Sequence, residues 1–324
     1  MTESLIQFER DGRRGVAMLD DAGIAHVLNG TSSVYELVRE CLAKDVGLAE
    51  AAQSRRGEQL DLNSVRLLSP IDHPDDAHLL VSGTGLTHLG SAEGRDKMHE
   101  AAAAGTATDS MRMFLMGLEG GKPESGEGAQ PEWFYKGDGS ILVAPDEALV
   151  RPAFAGDGGE EPEIAGIYMI DDDGRPRRLG FALGNEFSDH VTEQVNYLWL
   201  AHSKLRPAAL GPELLLGDLP DHVEGTSRIM RGDAVLWEKA FKSGEANMSH
   251  TIANLEHHHF KNTPFRRPGD IHVHFFGTAT LSYADGITPQ DGDRFEISAT
   301  PFRLSVSNPL ATGAPAPLAQ AIAL

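Results

Sequence analysis

The stretch that decides the fold runs Glu160-Glu161-Pro162-Glu163-Ile164-Ala165-Gly166-Ile167-Tyr168-Met169, then a turn, then Leu179-Gly180-Phe181-Ala182-Leu183-Gly184-Asn185-Glu186-Phe187-Ser188-Asp189. Its first half enters an apolar run rich in Ile and Tyr, which reads as a buried strand. Asp171-Asp172-Asp173-Gly174 is a turn signal between apolar runs, so a hairpin is expected. Residues i and i+2 of a strand share a face, which sends Glu161 and Glu163 the same way. Glu186, at the far end of the returning strand, stands roughly opposite them if the hairpin is in register. Three carboxylates converging near a buried edge repel one another strongly, and a divalent cation removes that conflict. An all-oxygen set without His or Cys suits a hard ion: Mg²⁺ first, Mn²⁺ or Ca²⁺ second. Acidic residues opening a strand are more often a solvated loop end, and Asp157-Gly158-Gly159 upstream is loop-like, so the Glu-x-Glu pair needs structural context.

Outward from the hairpin, the 324-residue chain has room for one large or two ordinary domains. It carries 28 basic against 48 acidic residues, a formal charge of −20, which disfavours nucleic acid and anionic membrane as partners. An anionic ligand therefore needs a local cation. A single cysteine, Cys41, excludes an intrachain disulfide. No apolar run approaches the ~18 residues of a membrane-spanning helix, and a cytoplasmic protein is expected.

Residues 5–29 read as three short strands: 5–8, 15–19 and 24–28. Ser33 with Glu36 forms a capping box for a helix whose apolar face is Val34, Leu37, Val38, Cys41 and Leu42. Cys41 on that stripe reads as a core residue. A boundary near residue 65 divides a small N-terminal α+β domain (1–65) from a larger domain (66–310), followed by an Ala/Pro-rich tail (311–324) expected to fray. Leu79 to Thr87 is a strand entering a Gly-rich turn that lacks the dinucleotide fingerprint. Residues 94–104 read as helical, and Met111, Phe114, Leu115 and Leu118 continue a helical stripe. Residues 120–130 form a Gly/Glu/Pro loop, a candidate lid. Trp133 to Gly137 reads as a strand end with Lys136 at its tip. Ser188 or Asp189 caps a helix reaching Trp199, and Lys204 follows. A lysine in either place is ordinarily solvated. Further strands are expected at 227–231, 234–239, 272–280 and 294–298, with a helix from Asn247 to the run His257-His258-His259. Three successive histidines on one helix point in different directions and make a poor metal site. There is no internal repeat.

Taken in order, these segments resemble the fumarylacetoacetate hydrolase family across roughly residues 66–308. Gly85-Leu86-Thr87-His88-Leu89-Gly90-Ser91 is similar to that family's Gly-Leu-Asn-Tyr-x-x-His segment. Phe134-Tyr135-Lys136-Gly137 is similar to its Phe-x-Lys, Glu161-Pro162-Glu163 to its Glu-x-Glu metal pair, and Asn185-Glu186 to its Asn-Asp third ligand. Lys204, Gly211-Pro212 and Gly277-Thr278 fall where the family has a lysine, a Gly-Pro and a substrate-carboxylate turn. The resemblance implies an α+β fold, a β-rich rolled mixed sheet around the metal with a small N-terminal domain, and a homodimer. It implies a small-molecule 2-oxo acid substrate and metal ligands Glu161, Glu163 and Glu186. It gives Lys136, Lys204, Gly277, Thr278 and Ser249 to substrate.

Two departures shape the expected reaction. Glu186 replaces the usual aspartate, one methylene shorter. Ser91 stands where the hydrolases carry a water-activating histidine, with His88 at the tyrosine position, so C–C hydrolysis lacks its base. Loss of water from a 2-keto-3-deoxy sugar acid needs no attacking water. Ser91 and Asn247-Met248-Ser249 resemble the sugar-acid dehydratase branch, which forms a 2-oxoglutarate semialdehyde in non-phosphorylative pentose breakdown. Mg²⁺-dependent dehydration (a lyase) is therefore the leading expectation. Hydrolysis of a 2,4-diketo-3-deoxy sugar acid or another acylpyruvate is the alternative, and a non-enzymatic binding protein a third. Ser91, His88 and Lys204 are the candidates for proton transfer, with Glu93, His99 and Glu100 behind them.

Overall fold

The computed structural model of the chain describes residues 3–89 and 109–324. Its strands are β1 Ser4–Arg10, β2 Arg13–Leu19, β3 Ala25–Leu28, β4 Arg56–Leu60, β5 Arg66–Leu67, β6 Leu79–Gly83, β7 Phe134–Asp138, β8 Leu142–Val143 and β9 Leu149–Arg151. They continue with β10 Pro162–Ile170, β11 Pro176–Asn185, β12 Ala208–Leu210, β13 Glu213–Leu215, β14 Val223–Arg231, β15 Ala234–Ser243, β16 Ile271–Phe275, β17 Arg294–Ala299 and β18 Val306–Thr312. The helices are α1 Val34–Lys44, α2 Leu48–Ser54, α3 Asp109–Gly120, α4 His190–Val195, α5 Leu200–Lys204 and α6 Ile252–Phe260. This is a strand-rich α+β fold with two mixed sheets.

The expected hairpin, β10–β11, lies at the centre. The larger sheet runs β4-β3-β2-β1-β13-β11-β10-β16-β6-β7, antiparallel except where β16 lies parallel to β6 and where β8, off this path, lies parallel to β12. The second sheet runs β15-β14-β17-β18-β9. Sequence dictates the hairpin locally. Asp171 Oδ1 accepts from the amides of Asp173 and Arg175, and Gly174 takes φ +74°, a left-handed conformation that an L side chain resists. The turn then sets the register Pro162↔Asn185 and Glu163↔Gly184.

Every residue of β10 is buried, because both faces of the hairpin are covered. Ala165, Ile167 and Met169 pack with Val81, Val273 and the α1 residues Leu37, Val38 and Cys41. Ile164, Phe181 and Leu183 pack against Ile229, Phe295 and Ile297 of the second sheet. A strand buried on both sides reads as a continuous apolar run, and this one does until its acidic mouth.

The three expected N-terminal strands and the helix after them are present, and α2 and β4, which the sequence reading did not mark, follow. β1–β3 fall where the apolar runs lie, and Ser33 caps α1 by accepting from the Glu36 amide at 3.1 Å. The β1–β13 pairing carries the N-terminal strands into the same sheet as the hairpin. Several boundaries differ. The strand expected over 272–280 stops at Phe275, and the helix expected from Asn247 starts at Ile252 with Thr251 as its cap. The tail was expected to fray from residue 311, but β18, paired with β17 over residues 306–309, continues against β9 from Leu310 to Thr312. Among the described residues no helix is long and apolar enough to cross a membrane. The helix expected over 94–104, and with it Ser91, Glu93, His99 and Glu100, lies outside the described residues.

Candidate metal centre

Because Asn185 pairs with Pro162, the next residue, Glu186, falls opposite Glu161, and its amide donates to the Glu161 carbonyl at 3.0 Å. Asn185 Oδ1 in turn accepts from the Glu161 amide at 3.2 Å. Glu161, Glu163 and Glu186 are all buried, and each offers a carboxylate oxygen within 4.8 Å of the others. The fourth acid of the stretch, Glu160, is spent elsewhere. Its two oxygens accept from the amide and hydroxyl of Ser282, each at 2.8 Å.

Two lysines meet the carboxylates. Lys204 Nζ, carried by α5, lies 2.6 Å from Glu161 Oε1, 2.6 Å from Glu186 Oε2 and 3.0 Å from Ser188 Oγ. Lys136 Nζ donates to Glu186 Oε1, to the Phe187 carbonyl at 2.6 Å and to the Lys204 carbonyl at 3.1 Å. Lys136 was expected at an exposed strand tip; it sits mid-strand in β7 with its side chain fully buried. Its face of the strand looks onto Glu186, whose charge turns a solvated position into an internal one. Lys204, too, is buried rather than solvated.

The charges do not cancel. Two ammoniums and His190 oppose four carboxylates, those of the trio and Asp157, and the remainder falls on Glu163. Burial, then the neighbouring Glu186 and Glu161 charges, push the Glu163 carboxyl well above its usual range. Its one direct hydrogen bond comes from the Gly277 amide, at 2.7 Å. Glu161 goes the other way. Burial alone would raise it, but Lys204 and His190 hold it below the usual range. Lys204 is driven well above the ordinary lysine value by Glu161 and Glu186 despite its burial, whereas burial dominates at Lys136 and lowers it.

His190, which the sequence did not single out, joins the site. Asp189 caps α4 by accepting from the Thr192 amide and is fixed by Arg206 Nη2 at 2.7 Å. That places His190 with Nε2 3.1 Å from Glu161 Oε1 and Nδ1 3.6 Å from Asp157, the latter an ion-pair distance too long for a hydrogen bond. Its ring stacks on Tyr283 at 5.2 Å. Burial opposes its charge, but Asp157 and Glu161 prevail and lift its pKa to about 10.

Glu161 and Glu163, with Glu186 buried behind them, open on a cavity of about 440 Å³ whose wall also includes His190, Lys204, Gly277 and Thr278. Gly277 has φ +93°, and a Cβ there would stand 2.4 Å from Thr87 Oγ1, so only glycine brings its amide to Glu163. His88 and Ser249 do not line this cavity. His88 is buried with Nδ1 on Thr87 Oγ1 at 3.0 Å and Nε2 on Ser243 Oγ at 2.9 Å, and burial lowers its pKa to about 3. Ser249 Oγ donates to the Thr87 carbonyl at 3.1 Å, beneath the same turn. A shallower groove of about 730 Å³ at the β1–β2 turn is lined by none of these groups, and its Arg10 and Arg14 are paired with Glu58 and Asp72.

The donor set fits a hard divalent ion. An octahedral ion with bonds of about 2.1 Å spans oxygens up to roughly 4.2 Å apart, and the three carboxylates hold theirs within 4.8 Å of one another. Two positive charges also satisfy Glu163, whose ionisation the lysines leave uncompensated.

The chain has the fumarylacetoacetate hydrolase fold. A structure of 2-keto-3-deoxy-D-arabinonate dehydratase complexed with magnesium and 2,5-dioxopentanoate superposes with a TM-score of 0.68 at 19% identity, covering 96% of this chain and 99% of that one. Fumarylacetoacetate hydrolase from psychrophilic Exiguobacterium antarcticum gives 0.61 at 17% identity, covering 96% and 100%. The 5-carboxymethyl-2-hydroxymuconate delta-isomerase from Mycobacterium smegmatis gives 0.60 at 17%, covering 96% and 99%. No family model and no curated protein matches the sequence.

Proposed function

We propose that this chain is a Mg²⁺-dependent lyase that dehydrates a 2-keto-3-deoxy sugar acid of the pentonate type to 2-oxoglutarate semialdehyde. The observation that carries the reading is the buried trio Glu161, Glu163 and Glu186, of which Glu161 and Glu163 share one cavity wall with Lys204. In this reading the trio holds the ion, which when bound supplies a Lewis acid to the 2-oxo group and so acidifies the neighbouring C3–H. Lys204 and the Gly277-Thr278 turn hold the substrate carboxylate, supplying the local cation and donors that the acidic surface lacks. Lys136 holds Glu186 from behind. The C3 proton leaves first and the C4 hydroxyl then follows, one water in all, and the unsaturated acid tautomerises to the C5 aldehyde. Ser91 remains the proposed proton carrier. A dimer of two-domain subunits, split near residue 65 and working in the cytoplasm, completes the proposal.

Dehydration is favoured over hydrolysis by the position of His88, the residue proposed as an alternative base. Both its ring nitrogens are engaged away from the cavity, and among the described residues His190 alone of the histidines lines it. His190 lies against Glu161 and Asp157, whose charges favour its protonated form. A structural neighbour with bound 2,5-dioxopentanoate, the same semialdehyde, adds support from the fold. The test is incubation of the Mg²⁺-loaded protein with 2-keto-3-deoxypentonates and 2,4-diketo acids, reading product mass. A product lighter by one water supports the proposal. Fragments that together have gained a water, or an unchanged substrate, count against it.

A further inference from the structure

The cavity has two chemically different ends. At the carboxylate end lie both lining cations: Lys204, against Glu161, Glu186 and Ser188, where the reading above has it meet the carboxylate of the 2-oxo-acid end, and His190, against Glu161 and Asp157. The remaining wall includes Glu132, Glu193 and Gln194 beside Leu200, Leu281 and Tyr283. Among the described residues no other cation lines it. Glu193 is the informative member. It projects from α4 one turn beyond His190, is half-buried, and its carboxylate has no hydrogen-bond or ion-pair partner among the described residues. Burial pushes its carboxyl above the usual range, with the Lys204 charge working against the shift and those of Glu161 and Glu132 adding to it, so it belongs to the same electrostatic field as the metal centre. A carboxylate turned to a ligand cavity with no protein donor is an acceptor awaiting one.

Building on the reading above, in which a 2-oxo acid docks at the trio, we propose that Glu193 selects the other end of the substrate. Its carboxylate accepts a hydrogen bond from a hydroxyl on the substrate's distal carbons and excludes 2-oxo acids that end in a second carboxylate. Both effects have one cause. A hydroxyl supplies the proton that Glu193 lacks, whereas a second carboxylate brings a like charge to a distal wall on which, among the described residues, no cation stands, in a setting where water screens poorly.

The test compares two ligands of equal chain length, 2-oxopentanoate and 2-oxoglutarate, which share the metal-binding end and differ in the terminal carboxylate. Binding to the Mg²⁺-loaded protein is measured by calorimetry at mildly alkaline pH, with no turnover required. The wild type is expected to prefer 2-oxopentanoate by about tenfold or more, the scale of a poorly screened like-charge contact. Glu193→Gln, nearly isosteric, should shrink that preference severalfold, and Glu193→Lys should reverse it, with Mg²⁺ affinity in both within a few-fold of the wild type. Equal binding of the two acids by the wild type, or a preference that persists in both variants, overturns the inference. If neither acid binds the Mg²⁺-loaded protein, the docking reading falls and this one with it. Selectivity without dehydration of any sugar acid would retain the Glu193 assignment and reject the proposed reaction.

Discussion

Replacing Lys136 by methionine removes a buried ammonium and keeps most of the side-chain volume. Glu186 Oε1 then loses its donor, and the Phe187 and Lys204 carbonyls lose theirs. Both partners of the ion pair are fully inaccessible, so water neither screens the pair nor replaces the missing bonds. Breaking a buried pair from one side costs about 3–5 kcal/mol, because the other charge remains uncompensated. At about 2.1 cal/mol/K per residue, unfolding a chain of 324 residues carries an entropy of roughly 0.7 kcal/mol/K. The expected fall in Tm is therefore about 4–7 °C. Differential scanning calorimetry of metal-free protein measures it. Saturating Mg²⁺ should recover part of the loss, since it returns positive charge to Glu186. A fall below about 1 °C would mean that Lys136 does not sustain Glu186, and the electrostatic account of the trio would be wrong.

Three further outcomes follow from the same structure. Burial holds His88, His272 and His274 at pKa values of about 3, against 6.5 for a free histidine. Between those values the unfolded chain binds protons that the folded chain does not, so stability falls as pH drops below 6.5, by about 1.4 kcal/mol per pH unit for each histidine. Denaturant melts across that window should show the slope, and His88→Gln should flatten it by one proton. Glu163→Gln removes a like charge from the trio, so the metal-free variant should melt no lower than the wild type while its Mg²⁺ binding falls sharply; thermal scans with and without the ion separate the two effects. Cys41, on the inward face of α1, packs in the core, and burial raises its thiol pKa, so a thiol reagent should label it only on unfolding.

The hairpin was legible because its signals are local. An apolar run, an Asp-Gly turn and the two-residue period of a strand together fix which glutamates share a face, and the turn sets the register that brings Glu186 opposite Glu161. The α1 cap and the first three strands were legible for the same reason. What escaped depends on partners distant in sequence. The alternation in Phe134-Tyr135-Lys136 is visible, but nothing within β7 shows that Lys136 faces a carboxylate 50 residues away. His190 sits in an ordinary polar helix start, and only the Asp189 cap, locked by Arg206, aims it at Glu161. β18 contains Pro309, which weakens any strand reading, yet pairing with β17 on one side and β9 on the other holds it. The segment around His88 could be aligned by motif, but the sequence does not reveal that Thr87 and Ser243 take both ring nitrogens.

The central claim is that Glu161, Glu163 and Glu186 jointly hold one divalent ion. Isothermal titration of chelator-treated protein with Mg²⁺ and Mn²⁺, in the wild type and in Glu161→Gln, Glu163→Gln and Glu186→Gln, tests it most directly. The account predicts one ion per chain in the wild type and affinity lowered by an order of magnitude or more in each variant. A wild type that takes up no ion, or variants that bind as tightly as the wild type, would contradict it.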